Sequence, residues 1–446
     1  MLPRPSVRGA ARALCLATIV GSSGLASAVR SVRSANEPVT LTVAGCWTDA
    51  YQGPAFKKVV ELYNRVQSKV HINGTWNNSF SKVLTEQLGG APPDVYFDCS
   101  TGEVGTWAKN GYIRPLQPYI EGTHWGPNTL TPSARAFVTY QGRIWAMPFL
   151  EDTFMLLYNR TLFKLAGLDP DRPPNTWEQL RADADRLTRV DAAGKITQMG
   201  IHATFGGSDF VGTWLPVYMA AFGGRLIDAS GKTLSTNCAA CLAALQWERD
   251  LYDRWGPSRI DRFQSQFQSI YSGNGNAFFS GKTAMLIEGE YYVKQAQQYA
   301  PKLDYALAPI PYPAGHPEIA NSGMAGGNPG MIMAGSKHPD EAWQFLRWVE
   351  TLAPTVAFAN AIDNVPQLRA AVDAPALDPN ARFRTFVRYA QGPRIAVFPV
   401  IPISNELATG MTQMESLVLH DKISPKEGLT KLNADMQAKL GGNAVP

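Results

Sequence analysis

The chain opens with two rhythms of apolar and polar positions. Val39-Thr40-Leu41-Thr42-Val43-Ala44 alternates with period two and is rich in β-branched residues, which predicts a strand ending at Gly45-Cys46-Trp47-Thr48. Phe56, Val59, Val60, Tyr63 and Val66 then recur at helical spacing. Residues 69–74 predict a second strand, 80–88 a second helix, and Asp94-Val95-Tyr96-Phe97, introduced by Pro92-Pro93, a third strand. Strand, helix, strand, helix, strand in this order predicts a parallel α/β sheet. Ligands of such sheets lie off the carboxyl ends of the strands, where Trp47 and Asp98 fall. Trp47 can stack on a ligand there, or pack on the helix that follows. Asp98 can accept hydrogen bonds from hydroxyls, or cap a helix.

The pattern changes near Pro148. Arg143–Phe149 runs into Glu151-Asp152-Thr153, and Phe154-Met155-Leu156-Leu157-Tyr158-Asn159 is an unbroken apolar run that predicts a buried strand. Residues 161–166 predict a helix closed by Gly167. The next helix starts at Pro173–Leu180, with Thr176 as cap and Gln179 as its reciprocal partner. Asp209–Trp214 leads into an apolar helix that ends at Phe222-Gly223-Gly224. Further on, 278–280 predict a helix end, 283–287 a strand, Tyr291 onward a helix, and 304–308 and 330–334 strands. Residues 339–349 predict an amphipathic helix, and 381–390 and 405–420 further helices. A second α/β unit therefore follows the first.

A chain of 446 residues, 45% apolar and 17% charged, has room for two or three domains and lies outside the disordered class. Arg4, Arg8 and Arg12, the apolar run Leu14–Leu25, and Ala26-Ser27-Ala28 form the basic, apolar and cleavage regions of an export signal. They predict a leader over 1–28 and a linker over 29–36. The apolar run falls short of the about 20 residues that span a bilayer; a retained anchor is the alternative. Cys15 lacks the usual lipobox before it. Three of the 41 basic residues leave with the leader, so the remainder nearly balances 37 acids. No clustered basic face for nucleic acid is expected. Export places Cys46, Cys99, Cys238 and Cys241 in an oxidising compartment. Cys46 and Cys99 each end a predicted strand and can pair across neighbours. Cys238-Ala-Ala-Cys241 has redox-like spacing. Four buried free thiols are the alternative.

Several chemistries are excluded or unsupported. Gly281-Lys282-Thr283 resembles the end of a phosphate-binding loop, but position 276 is Asn where glycine is required, and the segment leads into a strand. The six histidines form no His-Glu-x-x-His and no i, i+4 pair, so no metal site is expected. No nucleophile elbow is present. Glu151-Asp152 and Glu288/Glu290 are acid pairs of the kind glycosidases use, but spacing along the chain gives no separation in space. No catalytic residue, metal or cofactor is expected.

Several blocks in order resemble the family 1 extracellular solute-binding proteins, the maltose-binding-like receptors of carbohydrate ABC importers. Leu157-Tyr158-Asn159-Arg160, then Leu162–Leu168 and Pro173–Glu178, form the first block. Phe279-Ser280-Gly281-Lys282-Thr283-Ala284-Met285 is the second. Gly326-Gly327 with Ser336-Lys337-His338-Pro339-Asp340-Glu341-Ala342-Trp343 and Phe345-Leu346 is the third. The resemblance covers nearly all of the chain after the leader.

It implies an α/β periplasmic-binding-protein fold, with two lobes joined by crossing hinge segments and a ligand cleft between them. Lobe 1 would take 37–148 and 311–350, lobe 2 would take 149–310 and 351–446, and hinges would lie near Pro148–Phe149, Pro309–Pro311 and position 350. It also implies an exported monomer, periplasmic or at the cell surface, whose partners are a carbohydrate and transmembrane permease subunits.

Sugars present apolar C–H faces and many hydroxyls, which call for flat rings and acids. Trp47, Trp214 and Tyr291 supply the rings; Asp98, Asp152, Glu288 and Glu290 supply the acids. Gly326 and Gly327 would let backbone approach the ligand. Asp152 and Tyr291 fall where relatives place a ligand-contacting acid and a stacking ring, although Glu288-Gly289-Glu290-Tyr291 departs from the family's Asp-Gly-Pro-Trp. The alternatives are the same receptor role for a glycerol phosphodiester or other non-sugar solute, with Arg394 contributing, and a secreted carbohydrate-active hydrolase.

Overall fold

The computed structural model describes residues 38–47, 52–121, 126–202, 213–267 and 275–442. The leader over 1–28 and the linker over 29–36 lie outside the described residues. Twelve strands are described: β1 (Val39–Gly45), β2 (Val70–Thr75), β3 (Val95–Phe97), β4 (Thr139–Tyr140), β5 (Arg143–Ile144), β6 (Met147–Asn159), β7 (Arg189–Val190), β8 (Ile196–Ile201), β9 (Thr283–Gly289), β10 (Tyr305–Ala308), β11 (Gly323–Ile332) and β12 (Ile395–Val397). Ten of them form one sheet in the order β2-β1-β3-β11-β6-β9-β8-β7, with β10 on β6 and β12 on β11.

The amino-terminal part follows the predicted pattern. β1 pairs in parallel with both β2 and β3, and the intervening helices Gly53–Val66 and Phe80–Leu88 bury Phe56, Val59, Val60, Tyr63 and Val83. Thr176 caps the helix Trp177–Leu187 in a full capping box with Gln179. Asn159 ends β6 and caps the next helix by accepting from Leu162 N at 3.0 Å.

β6 and β11 are longer than their apolar runs suggest. β6 begins at Met147 rather than Phe154, and β11 begins at Gly323 rather than Gly330. Both are covered on both faces, so neither alternates. Glycine and proline within Gly323–Gly330 also hide the strand from β-propensity. Residues 278–280, expected to end a helix, form a turn.

Two buried clusters occupy the two ends of the sheet. The first gathers Leu41, Phe56, Phe97, Phe149, Met331 and Phe345; the second gathers Leu156, Trp177, Trp214, Leu245, Ile287 and Leu407. β6 and β11 run from one cluster to the other, which makes the α/β fold two-lobed with a continuous sheet through the junction. Over the second end the sheet faces both ways: Phe154, Leu156 and Ile287 enter the second cluster, while Met155, Leu157 and Leu286 enter the first. The stretch after position 350, expected whole in lobe 2, is divided. Val356–Ala390 buries with the first cluster, where the helix Leu352–Ile362 packs on the helix Gly53–Val66, and Phe398–Leu440 buries with the second. Among the described residues no helix is long and apolar enough to cross a membrane.

Candidate functional site

Where β6 leaves the first cluster it carries Glu151-Asp152-Thr153. β11 pairs Gly326 with Asp152 and Gly327 with Glu151, and β9 pairs Gly289 with Phe154 and Glu288 with Met155. This register draws Asp152, Gly326, Gly327, Glu288, Glu290 and Tyr291 into one place, although they are distant along the chain.

Glu290 accepts from Thr153 N at 2.8 Å and from the Asn364 amide at 2.7 Å, and the same amide donates to Asp152 Oδ1. Burial, and then the neighbouring Asp152 charge, pushes the Glu290 carboxyl well above the usual carboxylate range. Both causes favour the protonated form of Glu290. Glu288 accepts from Gly289 N at 2.9 Å and from the Tyr291 hydroxyl at 2.6 Å. Of these side chains Asp152 is the partly exposed one, while Glu288, Glu290 and Tyr291 are buried. Glu151 points away: it accepts from the Thr131 and Ser133 hydroxyls, and burial pushes it up to about 7.

The remaining candidates fall into different settings. Trp47 is 1% exposed and sits among Phe56, Phe97, Phe149 and Phe358, at 4.6 to 5.8 Å between ring centroids. In this structure its faces are covered by core, including the helix that follows it. Trp214 is also 1% exposed and stands edge-on to Phe154 at 4.7 Å. Asp98 is buried at the end of β3. It accepts from Tyr96 Oη at 3.1 Å and Cys99 N at 2.8 Å, and burial raises it to about 6 against the hydrogen bonds that favour its charge. Gly327 carries no side chain because a Cβ would overlap the Leu150 carbonyl oxygen and the Phe137 ring; strand packing accounts for that glycine. Cys46 and Cys99 form a disulfide between the ends of β1 and β3. Cys238 and Cys241 form a second at the start of the helix Ala239–Trp255.

A cavity of about 490 Å³ is walled by Pro216, Gly223, Gly224, Met324, Arg225 and Arg394 among others, and by none of the predicted ring, acid or glycine residues. Alternation along β11 puts Met324 and Gly326 on one face, and register puts Asp152 and Phe154 on that same face. Met324 of the cavity wall therefore stands on the sheet face that carries Asp152 and Phe154. Asn364, Glu103 and Arg225 were invisible to motif reading. Asn364 follows a left-handed cap at Asp363, φ 54°, in a segment with no periodic signal.

Residues 47–353 match the family of bacterial extracellular solute-binding proteins, and the chain belongs to that family. It is 25% identical over 372 residues to the maltodextrin-binding protein MdxE of Bacillus subtilis, covering 79% of this chain and 80% of that one. It is 22% identical over 319 residues to the sn-glycerol-3-phosphate-binding periplasmic protein UgpB of Pectobacterium atrosepticum, covering 68% of each. Among solved structures, CpMnBP1 with mannotriose bound superposes with a TM-score of 0.77 at 27% identity, over 89% of this chain and 99% of that one. The sugar-binding protein MalE of Xanthomonas citri shares the fold, with a TM-score of 0.70 at 18% identity over 91% of this chain and 98% of that one. These relatives are binding proteins.

Proposed function

We propose that this chain captures a neutral oligosaccharide between its lobes and delivers it to the transmembrane permease subunits of an ABC importer, acting as an exported monomer without catalysis. The observation that carries the reading is the convergence of Asp152, Glu290 and Asn364 at the junction of β6, β9 and β11, with Asp152 on the sheet face that also carries Met324 of the cavity wall. A carboxyl pair that holds a proton offers both donor and acceptor to hydroxyls. The similarity to CpMnBP1, solved with mannotriose, supports the same ligand class. β6 and β11 are the segments that connect the lobes, and closure is selected because ligand touches both lobes only when they are shut.

Hydrolysis fits less well. Glycosidase acids stand about 5 to 10 Å apart across an open cleft, whereas Asp152 and Glu290 share one amide donor, that of Asn364, and Glu290 is buried. Arg225 and Arg394 beside the cavity are the feature that would suit an anionic solute.

The test is a thermal-shift screen against mannobiose, mannotriose, maltotriose and a glycerol phosphodiester. Specific binding raises the melting temperature by mass action. A shift with an oligosaccharide is expected. A shift with the phosphodiester alone would replace the ligand class, and product release from an oligosaccharide would overturn the non-catalytic reading.

A further inference from the structure

The helix Glu103–Lys109 meets the start of the helix Ser404–Leu419 across the junction of the two clusters. Val104 and Trp107 belong to the first cluster, and Ile401, Ile403 and Leu407 to the second. The approach is backbone against backbone. A Cβ on Gly105 would overlap the Ile401 carbonyl oxygen and lie 2.7 Å from the Ile401 nitrogen. The Asn405 amide, oriented to satisfy its neighbours, donates to Gly102 O at 3.2 Å and Glu103 Oε1 at 3.3 Å.

Behind this contact Asp98 and Glu103 are both buried, 4% and 3% exposed. Asp98 Oδ2 and Glu103 Oε2 find no hydrogen-bond partner among the described residues. The groups that face the pair are Tyr96 and Cys99 N from β3 and its end, Ser100 on the turn, Asn328 on β11, whose amide donates to Asp98 O at 3.3 Å, and Asn405. None of these is a cation. Two negative charges buried with no cation facing them are costly, so the closed arrangement favours a proton on the pair. Parting the lobes removes Ile401 and Asn405 and lets water reach Glu103, which then ionises as an ordinary carboxylate.

We propose that lobe closure takes up a proton at the Asp98–Glu103 pair, so that solute capture tightens in acid and loosens as the pH rises. The proposal rests on the solute-binding reading of the interlobe cleft. Burial raises both carboxyls, and the Asp98 charge raises Glu103 further, in the direction that favours a proton on the pair. By linkage, one proton taken up on closure lowers affinity by up to about tenfold per pH unit while the open-state carboxyl is ionised and the closed pair still holds its proton.

Two measurements on the whole protein separate this from the reading beneath it. The first needs no ligand: small-angle scattering and amide exchange over residues 103–109, corrected for the intrinsic pH dependence of exchange, between pH 5 and 9. Wild type should expand and lose protection as the pH rises. Glu103→Gln, which keeps a donor towards Asp98 without a titrating proton, should stay compact throughout. Equal behaviour of the two proteins across the range overturns the proposal. The second is calorimetric titration with mannotriose in buffers of different ionisation enthalpy. Heats that depend on the buffer in wild type and not in Glu103→Gln support proton uptake; binding with buffer-independent heats overturns it. No binding of mannotriose counts against the ligand class alone, because scattering and exchange still decide the latch.

Discussion

Trp47 separates a ligand platform from a core residue more sharply than any other position. Its ring is 1% exposed and meets Phe56 at 4.6 Å, Phe358 at 5.3 Å, and Phe97 and Phe149 at 5.8 Å. Truncation to alanine removes a side chain whose neighbours come from a helix, two strands and the 352–362 helix, so collapse around the void is hindered from every side. Large aromatic to alanine changes of this kind cost about 3–5 kcal/mol. Unfolding entropy is about 2.1 cal/mol/K per residue, so for the compact unit Pro38–Pro446 the loss corresponds to a fall in Tm of about 4–6 °C. Circular dichroism melts of unliganded Trp47→Ala and wild type measure it directly. Trp47→Phe, which keeps a ring in the cluster, should recover most of the difference. The reasoning is refuted if unliganded Trp47→Ala melts within about 1 °C of wild type while mannotriose affinity collapses, the pattern of a ring that stacks on ligand.

Other consequences follow from the same contacts. Glu151 and Glu415 are held by burial at about 7 and about 8, above their unfolded values. The folded state keeps protons that the unfolded chain releases, so stability is full below the ordinary carboxylate range and falls as the pH rises through 7 to 8, by at most about 1.4 kcal/mol per pH unit for each proton. Tm should drop from pH 5 to pH 8, and Glu415→Gln should flatten that slope; a Tm that rises over this range would contradict it. Gly105→Ala forces Ile401 away without opening either core, so mannotriose affinity measured by calorimetry should fall at least about tenfold with little change in unliganded Tm. The Cys46–Cys99 bond closes a 53-residue separation, worth about 4 kcal/mol of chain entropy; Cys46→Ser with Cys99→Ser should lower the urea midpoint accordingly. Asn364→Leu leaves Asp152 and Glu290 without their shared donor and should weaken sugar binding more than Asn364→Asp does at pH 5, as read by thermal shift.

What was legible in the sequence is what local periodicity and turn chemistry control. The β1-helix-β2-helix-β3 unit, the capping box at Thr176, and the helices Pro339–Val349 and Ala381–Ala390 are each specified by residues within a few positions of one another. Their physics is local, so a one-dimensional pattern carries it. The family blocks around Tyr158-Asn159 and Phe279–Met285 likewise mark elements rather than contacts. Tertiary structure alone decided which side chains meet. It turned Trp47 into the aromatic core, because the strand end of β1 faces Phe149 and Phe358 from segments far along the chain. It made Gly327 a packing glycine, because β11 passes hard against Leu150 and Phe137. It divided the stretch after position 350 between the two clusters, since helices there cover whichever sheet face is left bare. It also buried Asp98 and Glu103 within reach of one another's charge, and set Glu290 against Asp152, so that burial and the neighbouring charge raise Glu103 and Glu290 above the usual carboxylate range. A string of residues displays neither, because both are properties of the surroundings that the fold assembles.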